Sequence, residues 1–138
     1  MNIQNRKISI HDVDALIFDF DGVLTNNLVT IDSDGNEFVS CSRADGLAFD
    51  VLRKSNKAVF IVSTEKNKIV QSRADKLNVK CYHGVESKVD VIMNISKENN
   101  YKLSNILYVG NDLNNYKAMK LCGYTACPED SHKLIKSI

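Results

Sequence analysis

The chain has 138 residues, 43% hydrophobic and 25% charged, and its 18 basic and 17 acidic residues leave a formal net charge of +1. That length suits one domain with a core of its own, so a single domain over residues 1–138 is expected. The near-balanced charge gives no field that would draw nucleic acid or an anionic membrane surface. No apolar run approaches the ~18 residues of a membrane span. The opening stretch MNIQNRKISIHDVD is polar and lacks the apolar centre of a signal peptide. The four cysteines, Cys41, Cys81, Cys122 and Cys127, form no CxxC pair, and His11, His83 and His132 are scattered. Free thiols in a reducing cytoplasm fit better than a zinc site, and a cytoplasmic location is expected.

The first element is ALIFDF, from Ala15 to Phe20, apolar on both alternating faces as in a strand covered on both sides. LVTID and NEFVSC flank the turn signal SDG, so Leu28 to Cys41 reads as a β-hairpin. DGLAFDVLRKSN has helical spacing with Leu47, Val51 and Leu52 inward and Asp45 as N-cap. AVFIVS is a second buried strand. NKIVQSRADKL is a helix with Ile69, Val70, Ala74 and Leu77 inward, and VKCY is a short third strand. The helix SKVDVIMNISKEN, the strand NILYVGND, the helix NNYKAMKLCG, the short strand YTACP and the terminal turn SHKLIKSI follow.

Strands alternating with helices imply βαβ units and a doubly wound, mostly parallel α/β sheet. In such sheets the site lies beyond the carboxyl ends of the strands. Asp19 and Asp21 end the first strand, Ser63 and Thr64 the second, and Gly110, Asn111 and Asp112 the fourth. These clusters are expected along one edge. Asp19 and Asp21 point to the same side of an extended segment, and two carboxylates that close repel unless a cation or a proton separates them. Mg²⁺ suits them, because it takes hard oxygen ligands, often one or two carboxylates plus substrate phosphate. The hydroxyls of Ser63 and Thr64 could bond phosphate oxygens. Lys88 opens its helix, where the dipole gives a cation nothing, so neutralising a phosphoryl group would explain it.

DFDGVLT, FIVST, GVESK and YVGND resemble, in order, the four motifs of the haloacid dehalogenase superfamily. GVLTNN, the hairpin, SRADG and RADKL are similar to its small capless branch of 3-deoxy sugar-acid phosphatases, which includes the phosphatase-like domains of some CMP-sialate synthetases. The resemblance implies a Rossmann-like fold with a hairpin insertion and no cap domain. It implies Asp19 as nucleophile, Asp21 as general acid and base, Ser63 as a phosphate ligand and Lys88 as charge compensator. Mg²⁺ would be held by Asp19, the Asp21 carbonyl, Asn111 and Asp112. Arg43 and Asp45 in SRADG, with Thr64, Glu65 and Lys76, would approach the substrate. The hairpin would pack subunits into a homotetramer in which a neighbour covers the site.

Octulosonate phosphatases of the branch commonly read T-G-R where this chain has Ser63-Thr64-Glu65. Arginine there would grip a carboxylate bidentately, whereas glutamate accepts bonds from hydroxyls. With Lys76, Glu65 looks like the nine-carbon branch, so a phosphorylated nine-carbon sugar acid is the expected substrate, with an eight-carbon one as alternative. The branch usually reads G-D-D-x-x-D, while this chain reads Gly110-Asn111-Asp112-Leu113-Asn114-Asn115. An amide oxygen can ligate Mg²⁺ but brings no charge. A weakly active or inactive oligomerisation module associated with a cytidylyltransferase is therefore a further alternative. The branch continues past KLIKSI into a glycine-rich segment that these residues do not include.

Overall fold

The computed structural model describes residues 7–138. The first part of the polar opening stretch, and of the expected 1–138 domain, thus lies outside the described residues. Five parallel strands form one sheet in the order β5-β4-β1-β6-β7: β1 (Ala15–Phe18), β4 (Ala58–Val62), β5 (Lys80–Tyr82), β6 (Ile106–Val109) and β7 (Tyr124–Ala126). β1 is central, with Ile17 in register with Phe60 on one side and Tyr108 on the other. Its residues Ala15, Leu16 and Ile17 are all buried, which is why this stretch reads as a continuous apolar run.

Helices cover both faces. On one, α3 (Lys88–Asn99), α4 (Tyr116–Leu121) and α5 (Lys133–Lys136) pack Ile92, Ile95, Met119 and Ile135 against Ile17, Phe60 and Tyr108. On the other, α1 (Arg43–Lys54) and α2 (Ile69–Leu77) pack Phe49, Val70, Ala74 and Leu77 against Phe20 and Ile61. Fully burying each of the larger of these side chains, such as Ile92, Met119, Phe49 or Leu77, contributes about 1.5–3 kcal/mol. α2 and α3 stop on left-handed Asn78 and Asn100. Among the described residues no helix is long and apolar enough to cross a membrane.

Three local expectations change. Ser42, not Asp45, caps α1, accepting from the Ala44 amide at 3.2 Å. α1 turns Phe49 inward and leaves Leu47 and Val51 exposed, because Asp45, Phe49 and Leu52 share the face toward the sheet. The hairpin is present but pairs only over β2 (Thr30–Ile31) and β3 (Glu37–Phe38), with a single bridge, Thr25 to Cys41, at its base. Its turn is drawn tight by Asp32, whose carboxylate accepts from the Asp34 and Asn36 amides.

Candidate functional site

The chain runs from β1 out to β4 and β5, then returns to the opposite side of β1 for β6 and β7. The direction therefore switches between β1 and β6, and the crevice at their carboxyl ends is where such sheets hold ligands. A cavity of about 240 Å³ opens there, with Asp19, Asp21, Ser63, Thr64, Asn111 and Asp112 in its wall. All three clusters expected at one edge do meet.

Asp19 is buried, and both its oxygens are engaged. Oδ1 accepts from the Phe20 amide at 2.7 Å and lies 2.7 Å from Lys88 Nζ. Oδ2 accepts from Asn115 Nδ2 at 2.7 Å. Lys88 reaches in from the first turn of α3, whose N-cap Ser87 accepts from the Asp90 amide at 3.2 Å. Burial pulls the Lys88 ammonium below its ordinary value, and the Asp19 charge and hydrogen bond partly offset this. Its second partner is Asn115 Oδ1 at 2.8 Å, which also accepts from the Tyr108 hydroxyl at 2.9 Å. Burial, then the Asp19 charge, hold that hydroxyl well above its usual range, so it stays a donor.

Asp21 stands two residues on, half-buried. Burial first, then the charges of Asp19 and Glu65, hold its carboxyl above the usual carboxylate range, while Lys88 opposes them. A carboxyl whose proton affinity is raised beside a second carboxylate is the arrangement that separates an acid from a nucleophile. Between them and the hairpin, Gly22 turns the chain at φ +77°, and a side chain there would collide with the Asn111 amide. Thr25 holds the loop, its hydroxyl accepting from the Gly22 and Asn27 amides at 3.0 and 3.1 Å.

The β6 loop is built around close packing. A Cβ on Gly110 would lie 2.8 Å from Asn115 Cβ, so glycine lets Asn115 pass under the loop. The Asn111 carbonyl accepts from the His132 amide at 2.9 Å. Asp112 is exposed and caps the following turn through the Leu113 amide at 2.7 Å. The side-chain donors around the cavity are oxygens and amides, the hard set that suits a divalent cation such as Mg²⁺. Among the described residues Asp21 and Asp112 carry no ion pair. Among the described residues no three acids, histidines or cysteines converge into a ready-made metal cluster, so amide and backbone oxygens would complete the shell.

Ser63 is buried, and its hydroxyl accepts from the Glu65 amide at 3.1 Å. Glu65 lies in an adjoining pocket of about 150 Å³ that shares Asp21 and Asn27 with the first. Glu37 of the hairpin and Asn67 complete its polar side, and Asn67 Nδ2 donates to Glu37 Oε2 at 3.2 Å. The remaining expected residues lie elsewhere. Lys76 faces a groove between the hairpin and α2. Asp45 borders an apolar groove with Phe49 and Pro128. Arg43 is exposed at the start of α1. The sequence reading missed Asn115 as a direct partner of Asp19, and it missed Glu37, Asn67 and Tyr108. An amide at the last position of the G-N-D-x-x-N run was the one available signal.

No protein-family model matches the chain. It is 29% identical over 125 residues to the 3-deoxy-D-manno-octulosonate 8-phosphate phosphatase KdsC of Salmonella typhi, covering 90% of this chain and 66% of that protein. The chain thus spans just under two thirds of the length of such curated relatives. A protein of Streptomyces avermitilis assigned to the HAD family hydrolases superposes with a TM-score of 0.91 at 38% identity, over 94% of this chain and 80% of that one. The 3-deoxy-D-manno-octulosonate 8-phosphate phosphatase of Moraxella catarrhalis, crystallised with magnesium, phosphate and KDO, shares the fold at TM-score 0.87 and 23% identity, over 92% and 74% of the two chains. Motif order, sheet topology and these likenesses converge: the chain belongs to the haloacid dehalogenase superfamily, and within it is similar to the octulosonate phosphatases.

Proposed function

We propose that this chain is a divalent-metal-dependent phosphomonoesterase whose substrate is a phosphorylated 3-deoxy sugar acid. The observation that carries the reading is the buried Asp19–Lys88 pair opening onto a cavity with the raised-pKa acid Asp21 in its wall. Curated relatives that cleave a sugar-acid phosphate support it.

An oxygen of Asp19 attacks phosphorus and forms an aspartyl-phosphate. The bond from phosphorus to the sugar oxygen breaks, and that oxygen takes the proton of Asp21. Asp21, now a carboxylate, takes a proton from the water that attacks the same phosphorus. The Asp19–phosphorus bond then breaks, and phosphate leaves with Asp21 reprotonated. Ser63 and Thr64 bond phosphoryl oxygens, and Lys88 balances charge on Asp19. Asp19, the Asp21 carbonyl, Asn111 and Asp112 would hold a cation such as Mg²⁺, which supplies charge neutralisation to the phosphoryl group.

The leaving sugar would occupy the adjoining pocket. Glu37 and Glu65 there accept from hydroxyls and repel a carboxylate. That favours a polyhydroxylated nine-carbon chain whose acid end lies away from Glu65. The eight-carbon reading rests on the octulosonate phosphatases among the relatives. Leu28, Val29, Ile31 and Phe38 are all more than half exposed on the hairpin, which supports its packing against other copies in a homotetramer. The test is phosphate release from eight- and nine-carbon sugar-acid phosphates, with Mg²⁺ and with chelator. Mg²⁺-dependent turnover that vanishes in Asp19→Asn is expected. Equal release by wild type and Asp19→Asn would overturn the mechanism. No turnover across the panel by a well-folded oligomer would favour the non-catalytic module, the reading that Asn111 and Asn115 motivate.

A further inference from the structure

Asn115 makes contacts that an aspartate in its place could not make. It is fully buried. Its Nδ2 donates to Asp19 Oδ2 at 2.7 Å, while its Oδ1 accepts from Lys88 Nζ at 2.8 Å and from the Tyr108 hydroxyl at 2.9 Å. The partners fix the direction of the amide, because a carboxylate can only accept and an ammonium can only donate. Lys88 and the Phe20 amide occupy Asp19 Oδ1, so each oxygen of Asp19 has a donor. One carboxylate, one ammonium, one amide and one phenol sum to zero charge. Gly110 seats the residue: its missing Cβ is where Asn115 packs.

A carboxylate at this position would still accept from Lys88 and Tyr108. Its second oxygen would meet Asp19 Oδ2 at hydrogen-bond distance, oxygen to oxygen, in a dry site. Two such charges coexist only with a cation or a shared proton between them.

We propose that Asn115 is a positioning residue that stands in for a cation at Asp19 Oδ2, holding Asp19 and Lys88 in register with no metal bound. The folded site then forms independently of metal, and a cation is needed only when phosphate enters. This goes beyond the phosphatase reading and does not depend on which ester is cleaved.

The test is thermal unfolding of the full chain in excess EDTA and in excess MgCl₂, for wild type, Asn115→Asp and Asn115→Ala, with Mg²⁺ binding followed by calorimetry. Asn115→Asp adds the repulsion, and Asn115→Ala removes the donor without adding charge. Mg²⁺ is expected to raise the melting temperature of both variants by roughly 5 °C more than that of wild type. It is also expected to bind Asn115→Asp at least about tenfold more tightly than wild type. A Mg²⁺ shift in wild type as large as in the variants overturns the proposal. So does an equal loss of stability for Asn115→Ala in both buffers, the signature of packing alone. Should Asn115→Asp fail to fold in either buffer, the comparison of wild type with Asn115→Ala decides. No readout here is turnover, so failure of the phosphatase reading and failure of this one are separable.

Discussion

Lys88 Nζ lies 2.7 Å from Asp19 Oδ1, with 3% and 5% of the two side chains exposed. A pair this deep costs desolvation on both partners, and each is tolerable only because the other is present. Lys88→Met should therefore cost about 3–5 kcal/mol, through the stranded Asp19 charge. Asp19→Asn alone should also destabilise. The double variant should be more stable than the sum of the two losses, and urea unfolding of the four proteins checks this cycle. Additive losses would mean that the two charges do not support each other.

Gly22 turns at φ +77° with its α-carbon against the Asn111 amide. Gly22→Ala adds both left-handed strain and a collision, so a loss of about 1–3 kcal/mol is expected. Because Asn111 is the group displaced, phosphate release should fall more than the stability loss alone explains. A variant with reduced melting temperature and undiminished turnover would contradict the placement of Asn111 at the cation position.

Asp21 supplies a pH dependence with a definite sign. Burial and the neighbouring carboxylates raise its folded pKa above the ordinary aspartate value of 3.8. Between 3.8 and the raised value the folded state holds more of the proton, so this contribution to stability is present at low pH and lost as pH rises through the folded value. At neutral pH the ionised group is a burden. In metal-free buffer Asp21→Asn should melt above wild type at pH 7, with the gap closing toward acid, while turnover disappears. A gap that widens on acidification would reverse the assignment.

The thiols offer an independent check on the core. Burial pushes Cys81 up to about 11 and Cys122 up to about 12. Only the thiolate is nucleophilic, so both should resist alkylation at pH 8 in the native protein and react once it is unfolded. Mass spectrometry after timed labelling reads each site separately.

On the hairpin, Leu28 is 70% exposed and Phe38 56%. If that face joins subunits, Leu28→Asp with Phe38→Asp should lower the mass seen by light scattering, while circular dichroism keeps the wild-type signal. An unchanged mass would place the assembly elsewhere, or nowhere.

The strands were legible because β1 and β4 are buried on both faces and so write apolar residues without interruption. The cavity wall followed from the rule that such sheets present ligands at their carboxyl ends. α1 was misread because Leu47 and Val51 sit at helical spacing yet point to solvent, an apolar face that periodicity cannot distinguish from a core face. Asn115 was underread for another reason. Its partner Asp19 lies 96 positions away, and only the β1–β6 pairing brings them together. Lys76 and Arg43 were placed by motif likeness, which carries no information about which groove a side chain faces.

The bridge between Thr25 and Cys41 has a bearing on how this chain could be altered. The fifteen or so residues between those two points leave and re-enter the body side by side, and closing a gap of that kind depends only weakly on what spans it. The position is a natural splice point. Replacing the hairpin with a short glycine-serine bridge should leave the Asp19–Lys88–Asn115 cluster intact. A larger insert at the same point would hang directly over the cavity mouth and act as a graft that reshapes substrate choice without touching the chemistry.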